Sequence, residues 1–342
     1  MNLLKVKFTK PIKYTNALGE KGCWEVGIDY AVPAVDILNW RYYHLGEVSF
    51  NGYLDAAHDF NGESKVTLCL DGNFSELLKW SSVVGVLGCE LDELNVVCPN
   101  VALPLFSDNP FVSDLYGYPV DLRLIDHTKI IICDEYFGDK IKADSDNVSV
   151  FVRDVVYWKK FLAGKENRKG FDTNIIFPQN EKPICVMPLG ANSKSKSFHP
   201  KQVLYIANKL AEYFRVIITL DPTQQDRYQI QWDEDIHGSA WYMYEHDSDV
   251  VILIIDSLKS YLGLMTQVDY VLTPDTLAYS LGRAFHKKTL LYGHGINTGF
   301  NFMGCDCLSS ECKFTGDYCQ LMQKMDMDKF VEFVLYKWNG GG

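Results

Sequence analysis

From Asp269 to Gly293 the chain reads Asp-Tyr-Val-Leu-Thr-Pro-Asp-Thr-Leu-Ala-Tyr-Ser-Leu-Gly-Arg-Ala-Phe-His-Lys-Lys-Thr-Leu-Leu-Tyr-Gly. An apolar run at 270–272 stops at Thr273-Pro274, and Leu277, Leu281, Ala284 and Phe285 then recur at helical spacing. A second apolar run, 289–292, closes at Gly293. The pattern predicts a strand, a tight turn, a helix and a parallel strand. A right-handed crossover then places Pro274-Asp275-Thr276 at the carboxyl edge of the sheet, where open α/β folds bind ligands. The amides that open such a helix suit phosphate or ribose oxygens. Asp275 equally fits the ordinary role of an N-cap.

The same alternation extends around this stretch. Strands are expected at 183–189, 216–220 and 249–255, and helices from His199 or Pro200 to about 214 and over 257–265. That spacing implies a parallel sheet of Rossmann type over 183–325, followed by a C-terminal helix within 326–339. Residues 166–182 are polar, with Gly and Pro punctuation, and read as a linker. Ahead of them, 1–165 reads as a first α/β domain. Its expected strands are 5–8, 24–28, 65–70, 95–98, 130–133 and 148–152, and its expected helices 74–87 and 154–162, with long loops at 100–125. A chain of 342 residues has room for two such cores.

The net charge of −11 disfavours the sequence-independent phosphate attraction of nucleic-acid binding. No apolar run reaches membrane-spanning length, and the N-terminal residues lack a signal-peptide pattern, so a cytoplasmic location is expected. Of ten cysteines, six are scattered, several within apolar runs, and read as small hydrophobes. The other four fall together as Cys305-x-Cys307-x4-Cys312-x6-Cys319. That spacing could reach a tetrahedral Zn or Fe ion, or leave four reduced thiols.

A second loop lies between an expected strand and helix: Gly190-Ala191-Asn192-Ser193-Lys194-Ser195-Lys196-Ser197-Phe198-His199-Pro200. Small residues, hydroxyls and two lysines at a helix N-terminus provide close backbone approach, N–H donors and compact positive charge, which a pyrophosphate needs. The loop is neither a Walker loop nor a GxGxxG fingerprint, and a solvated loop is the plainer alternative.

Taken in order over 183–338, these pieces resemble the heptosyltransferase family of inverting glycosyltransferases. The resemblance implies an α/β protein of GT-B architecture, with two Rossmann-like domains facing each other across a cleft and the nucleotide-sugar donor held mainly by the C-terminal one. It implies Lys196 as the phosphate-contacting lysine, with Lys194 as the other candidate. Asp275 and Thr276 would touch the donor, and Gly190 and Ala191 would sit beside the phosphates. The stretch 220–226 falls where the family places an acidic residue near the nucleoside. Leu277 stands where the family has a glycine and Ser280 near its histidine, so the resemblance does not extend to ADP-heptose as the donor.

In its first strand–helix turn the family carries a Gly-Asp shortly before a Pro, and that aspartate is proposed as the base. The nearest stretch here is Val26-Gly27-Ile28-Asp29-Tyr30-Ala31-Val32-Pro33, which nominates Asp29. His44, His58 and Asp59 are lesser alternatives, and a turn or cap aspartate is the plain one. A diphosphate stabilised by Lys196 and helix-terminal amides needs no catalytic metal. Some family members that modify proteins carry a cysteine-bound iron after the equivalent strand, so a structural Zn or Fe at Cys305, Cys307, Cys312 and Cys319 is the matching expectation.

The expected activity is metal-independent, inverting transfer of a sugar from a nucleotide-diphosphate donor to a hydroxyl, on a saccharide or lipid-linked glycan. Alternative acceptors are a protein or the hydroxymethylated bases of phage DNA, which the charge disfavours. A non-catalytic binding or assembly module, and an epimerase of related fold, are the rivals from other classes.

Overall fold

The structure is a computed structural model that describes residues 2–36, 46–57, 59–60, 62–141, 148–152, 182–189, 197–220, 249–255, 257–274, 276–292, 314–315, 318–319 and 325–339. The chain divides into two compact units, Met1–Phe151 and Val152–Gly342. The expected linker at 166–182 falls in the second, almost wholly outside the described residues.

In unit 1 the strands are β1 (Leu3–Phe8), β2 (Ile12–Thr15), β3 (Lys21–Trp24), β4 (Asp29–Pro33), β5 (Val48–Tyr53), β6 (Lys65–Cys69), β7 (Glu93–Cys98), β8 (Asp114–Gly117), β9 (Val120–Asp121) and β10 (Lys129–Ile132). The helices are α1 (Phe74–Gly88) and α2 (Glu135–Lys140), with 3-10 turns at Asn100–Leu105 and Leu122–Leu124. Strands β10-β6-β7-β8 form a parallel sheet in that order. Counted from β6, the order is 4-1-2-3, so the winding changes direction between β6 and β10. Helix α1 makes the crossover from β6 to β7. Asn73 starts it with a capping box: its side chain accepts from the amides of Ser75 and Glu76, while Glu76 accepts from the Asn73 amide.

The rest of unit 1 departs from a plain Rossmann-like domain. A four-stranded antiparallel sheet, β5-β1-β4-β9, and the hairpin β2–β3 precede or interrupt the parallel sheet. The strand expected at 24–28 is instead the connection between β3 and β4, where Gly27 takes a φ of +82° that ends extended pairing. The one expected at 148–152 finds no ladder partner among the described residues. Phe8, Trp24 and Tyr30 fill the core of the added sheet, with Phe8 and Trp24 stacked at 5.1 Å. A second cluster of buried residues, Leu3, Ala31, Cys69, Val97, Tyr118, Val120, Ile125 and Ile132, fastens β1, β4 and β9 to the carboxyl ends of the parallel strands.

Unit 2 holds β11 (Ile184–Pro188), β12 (Arg215–Leu220), β13 (Val250–Ile254), β14 (Tyr270–Thr273) and β15 (Lys288–Leu291), with helices α3 (Pro200–Leu210), α4 (Leu258–Gln267), α5 (Leu277–Ala284) and α6 (Met327–Trp338). A short hairpin pairs β16 (Phe314–Thr315) with β17 (Tyr318–Cys319). The five-stranded sheet runs β13-β12-β11-β14-β15, all parallel. Counted from β11 this is the 3-2-1-4-5 order of the doubly wound fold, with its switch point between β11 and β14. Strands β11 and β12 read as near-continuous apolar runs because both faces are covered. Helices α3 and α6 pack on one face, where Phe198, Val203, Leu210, Phe330, Val334 and Trp338 join one core with the strands.

Candidate functional site

Both chemistry-bearing loops of unit 2 leave the sheet at its switch point. Strands β11 and β14 are parallel neighbours, with Cys185 opposite Tyr270 and Val186 opposite Val271. Their carboxyl ends therefore open on one edge. The turn after β14 is built by two threonines. Thr273, fully buried, donates from Oγ1 to the Pro274 carbonyl at 2.8 Å and shares a 2.9 Å hydrogen bond with Thr276 Oγ1. Thr276 is the N-cap of α5, its hydroxyl accepting from the Ala278 amide at 3.2 Å, and its carbonyl takes the Tyr279 amide at 3.0 Å. The uncapped helix start expected here is thus capped, and by Thr276. A hydroxyl suits the position because it reaches the second helical amide without adding charge. Ser280, partly exposed, lies one turn further along α5. Asp275 lies outside the described residues.

The other loop starts after Leu189, whose amide donates to the Thr219 carbonyl at 2.9 Å, and ends at Ser197 and Phe198, both buried. His199 caps α3: its Nδ1 accepts from the Lys201 amide at 3.3 Å while its own amide donates to Gln202 Oε1 at 3.0 Å, with Pro200 at the first helical position. Phe198 stacks on Tyr292, just past β15, at 4.5 Å, and meets Phe330 edge-on at 5.1 Å. This anchors the loop's far end to β15 and α6. Gly190, Ala191, Lys194 and Lys196 lie outside the described residues, as do Cys305, Cys307 and Cys312. Cys319 closes β17, opposite Phe314. A surface hollow lined by Tyr270, Lys288, Lys337 and Trp338 sits at the amino edge of the sheet and takes no part in this site.

In unit 1, Asp29 does not sit in a strand–helix turn. It opens β4 opposite Lys7 of β1, its carboxylate 3.5 Å from Lys7 Nζ and accepting from Asn51 Nδ2 at 3.1 Å. Of the lesser alternatives, Asp59 accepts from Lys129 Nζ at 3.0 Å, and His44 and His58 lie outside the described residues.

The first strand–turn–helix of the parallel sheet is β6, Leu70-Asp71-Gly72-Asn73 and α1, so Asp71 stands at the switch point between β6 and β10, where Asp134, after β10, caps α2. Gly72 is required there: its φ is +124°, and a Cβ would lie 2.4 Å from Glu76 Oε2, inside the capping box. Asp36, three residues beyond β4, lies within electrostatic reach of Asp71. Burial, and then the charge of Asp71, raise its carboxyl to about 6. The strand at 65–70 and helix at 74–87 were both legible, so the Asp-Gly-Asn turn between them was the available signal for Asp71. Nothing local in the sequence marks Asp36.

No family model matches the sequence, and no curated protein matches it. Among solved structures, the chain is similar to the ADP-heptose lps heptosyltransferase II of E. coli, with a TM-score of 0.54 and 12% identity, over 79% of this chain and 97% of that one. It is also similar to a glycosyl transferase family 9 protein from Veillonella parvula (TM-score 0.49, 6% identity, 70% and 83% of the two chains). A further likeness is to the E. coli heptosyltransferase WaaC with ADP-2-deoxy-2-fluoro heptose (TM-score 0.46, 11% identity, 80% and 99%). The first of these shows the fold: the chain is an α/β protein of GT-B type.

Proposed function

We propose that the protein is a glycosyltransferase that moves a sugar from a nucleotide-diphosphate donor to a hydroxyl group, with inversion and without a catalytic metal. One observation carries the reading: within a fold shared along nearly the whole length of a heptosyltransferase, the two donor-side loops leave adjacent parallel strands at the switch point. That is where a doubly wound sheet receives a nucleotide. The loop 190–196 would supply backbone amides and the ammonium of Lys196, or of Lys194, to the leaving diphosphate, with Gly190 and Ala191 allowing close approach. Asp275, Thr276 and Ser280 would line the donor from the α5 side. Leu277 and Ser280 leave the sugar open.

The reading favours a saccharide or lipid-linked glycan as acceptor over protein or DNA. Asp29 is retained as a base candidate alongside the carboxylates at the carboxyl edge of the unit 1 parallel sheet. The cysteine set enters no step. As a structural staple it would hold Zn or Fe without touching the reacting atoms.

The test is turnover of a panel of ADP-, UDP-, GDP- and CDP-sugars, measured by nucleotide release with and without acceptor. Turnover that disappears in Lys196→Ala and Asp275→Ala supports the reading, and Asp29→Asn with full turnover removes Asp29 from it. Absence of turnover with every donor, together with stoichiometric capture of a partner, would establish the binding-module alternative. Product formed without any acceptor would instead identify an epimerase.

A further inference from the structure

The hollow at the amino edge of the unit 2 sheet has a chemistry of its own. Strands β14 and β15 run parallel with Tyr270 opposite Lys288, so their first residues stand side by side at that edge. Helix α6 ends over them: the Trp338 ring lies 4.8 Å from that of Tyr270 and 5.2 Å from that of Phe214, just ahead of β12. Lys288 ties strand to helix, donating from Nζ to the Trp338 carbonyl at 3.3 Å and to the Tyr270 hydroxyl at 3.4 Å. The hollow measures about 640 Å³ and is lined by Tyr270, Lys288, Thr289, Leu290, Lys337, Trp338 and Asn339. The turn held by Thr273 and Thr276 lies at the other end of β14, three strand steps or roughly 10 Å away, so the two places are distinct.

Two lysines and no carboxylate stand among the described lining residues, in a chain whose net charge is −11. The local sign is therefore opposite to that of the molecule, which favours an anion there. Asp269, next in sequence to Tyr270, is engaged elsewhere, its carboxylate accepting from the Ile184 amide at 2.9 Å. Neither Lys288 nor Lys337 forms an ion pair among the described residues. Their ammonium groups rest instead on aromatic rings, 5.2 Å from the Tyr270 centroid and 6.0 Å from that of Phe333. An ammonium has three donors, so Lys288 keeps one beyond the two it uses. Trp338 adds another: it is 5% exposed, and its indole Nε1 has no hydrogen-bond partner among the described residues. A buried donor left unpaired is costly, and an oxygen brought to it removes that cost.

We propose that this hollow is a second ligand site, and that its ligand is a phosphomonoester carrying a ring, such as a sugar phosphate or an aryl phosphate. A phosphomonoester carries about −1.5 to −2 charges at neutral pH, which two ammonium groups match, whereas a single carboxylate balances only one of them. Lysine binds phosphate as a compact point charge, and the described lining has no arginine fork to select a planar carboxylate. The volume is that of a small-molecule site and exceeds what the phosphate group alone fills. Tyr270, Leu290 and the stems of the two lysines supply apolar surface for the ring. The site does not depend on sugar transfer, and its test needs no donor.

The test follows the indole N–H resonance of Trp338 by 1H–15N NMR of the full-length protein, the signal being assigned by its loss in Trp338→Phe. Glucose 6-phosphate and phenyl phosphate are titrated in turn, alongside glucose, phenol and inorganic phosphate. At least one of the two esters is expected to shift the resonance saturably, and which one binds tighter identifies the ring. Glucose and phenol should leave it in place, and inorganic phosphate should bind more weakly than the ester. Lys337→Gln and Lys288→Gln should each weaken the ester about 5-fold, the scale of one partly exposed ion pair, and salt raised to about 0.5 M should weaken it further. Because Lys288 also holds the end of α6, the solvent-facing Lys337→Gln carries the test if Lys288→Gln melts early. No saturable shift with either ester overturns the proposal, as does undiminished affinity in Lys337→Gln. Inorganic phosphate binding as tightly as the esters would mean an adventitious ion only, and overturns it too.

Discussion

Thr273 and Thr276 share a hydrogen bond of 2.9 Å that joins the last residue of β14 to the cap of α5. The turn between them is therefore held by side chains, independently of anything bound there. Replacing Thr276 with Ala removes both this bond and the cap on Ala278, and is expected to cost about 1 kcal/mol. Thr276→Ser should restore most of it. Urea unfolding followed by hydrogen exchange in α5 checks the prediction, and equal stability of the Ala variant would contradict the capping role.

Phe198, just ahead of α3, is held by aromatic packing. Its ring is 1% exposed and packed on Tyr292 and Phe330, so Phe198→Ala leaves a cavity among β11, β15 and α6. A loss of about 3–5 kcal/mol is expected, against roughly 1 kcal/mol for Phe198→Leu. Thermal melts of the two variants should separate clearly, and exchange protection should drop in unit 2 before unit 1.

Unit 2 was legible because its strands are buried on both faces and its helices carry strong caps: α6 begins and ends where the apolar spacing placed it, and β11, β12 and β14 agree to within a residue or two. The added sheet of unit 1 was not. β5, Val-Ser-Phe-Asn-Gly-Tyr, is exposed along nearly its whole length, and β2 alternates over only four residues. β1 pairs with β5 across some forty residues of chain, which no local periodicity reveals. That blind spot explains Asp29, read as a strand–helix turn when it opens a strand, and Asp36, whose setting exists only once β4 meets the parallel sheet. The loop after β11 and the turn after β14 were legible as to which strands they follow.

The stability of the protein should carry the signature of Asp36. Its folded carboxyl titrates at about 6, above the ordinary unfolded range near 4, so the native state holds the extra proton between those values. Stability contributed by that proton is full below about pH 4 and is lost as the pH rises through about 6. For a half-buried group the amplitude is about 1 kcal/mol after screening by solvent. Chemical unfolding at several pH values should show this fall in the wild type and a flatter profile in Asp36→Asn, and a wild-type profile rising over that interval would refute it.

Thiol chemistry should divide the cysteines by depth. Cys69, Cys98, Cys133 and Cys185 are buried, and burial raises every one of these thiols, whereas Cys23 and Cys89 are exposed. Iodoacetamide at pH 8 should alkylate Cys23 and Cys89 in the native protein within minutes and spare the other four until denaturant is added. Peptide mass spectrometry reads the order directly, and early labelling of Cys69 would mean that the edge beside Tyr118 opens in solution.

Because β4 approaches the parallel sheet from outside its winding, the residues at its tip are free to vary without disturbing the scaffold beneath. Insertion, loss or lengthening of that one arm would re-equip the edge with other functional groups while β6, α1 and β7 kept their places. The arm therefore behaves as an interchangeable tool-holder on a fixed frame.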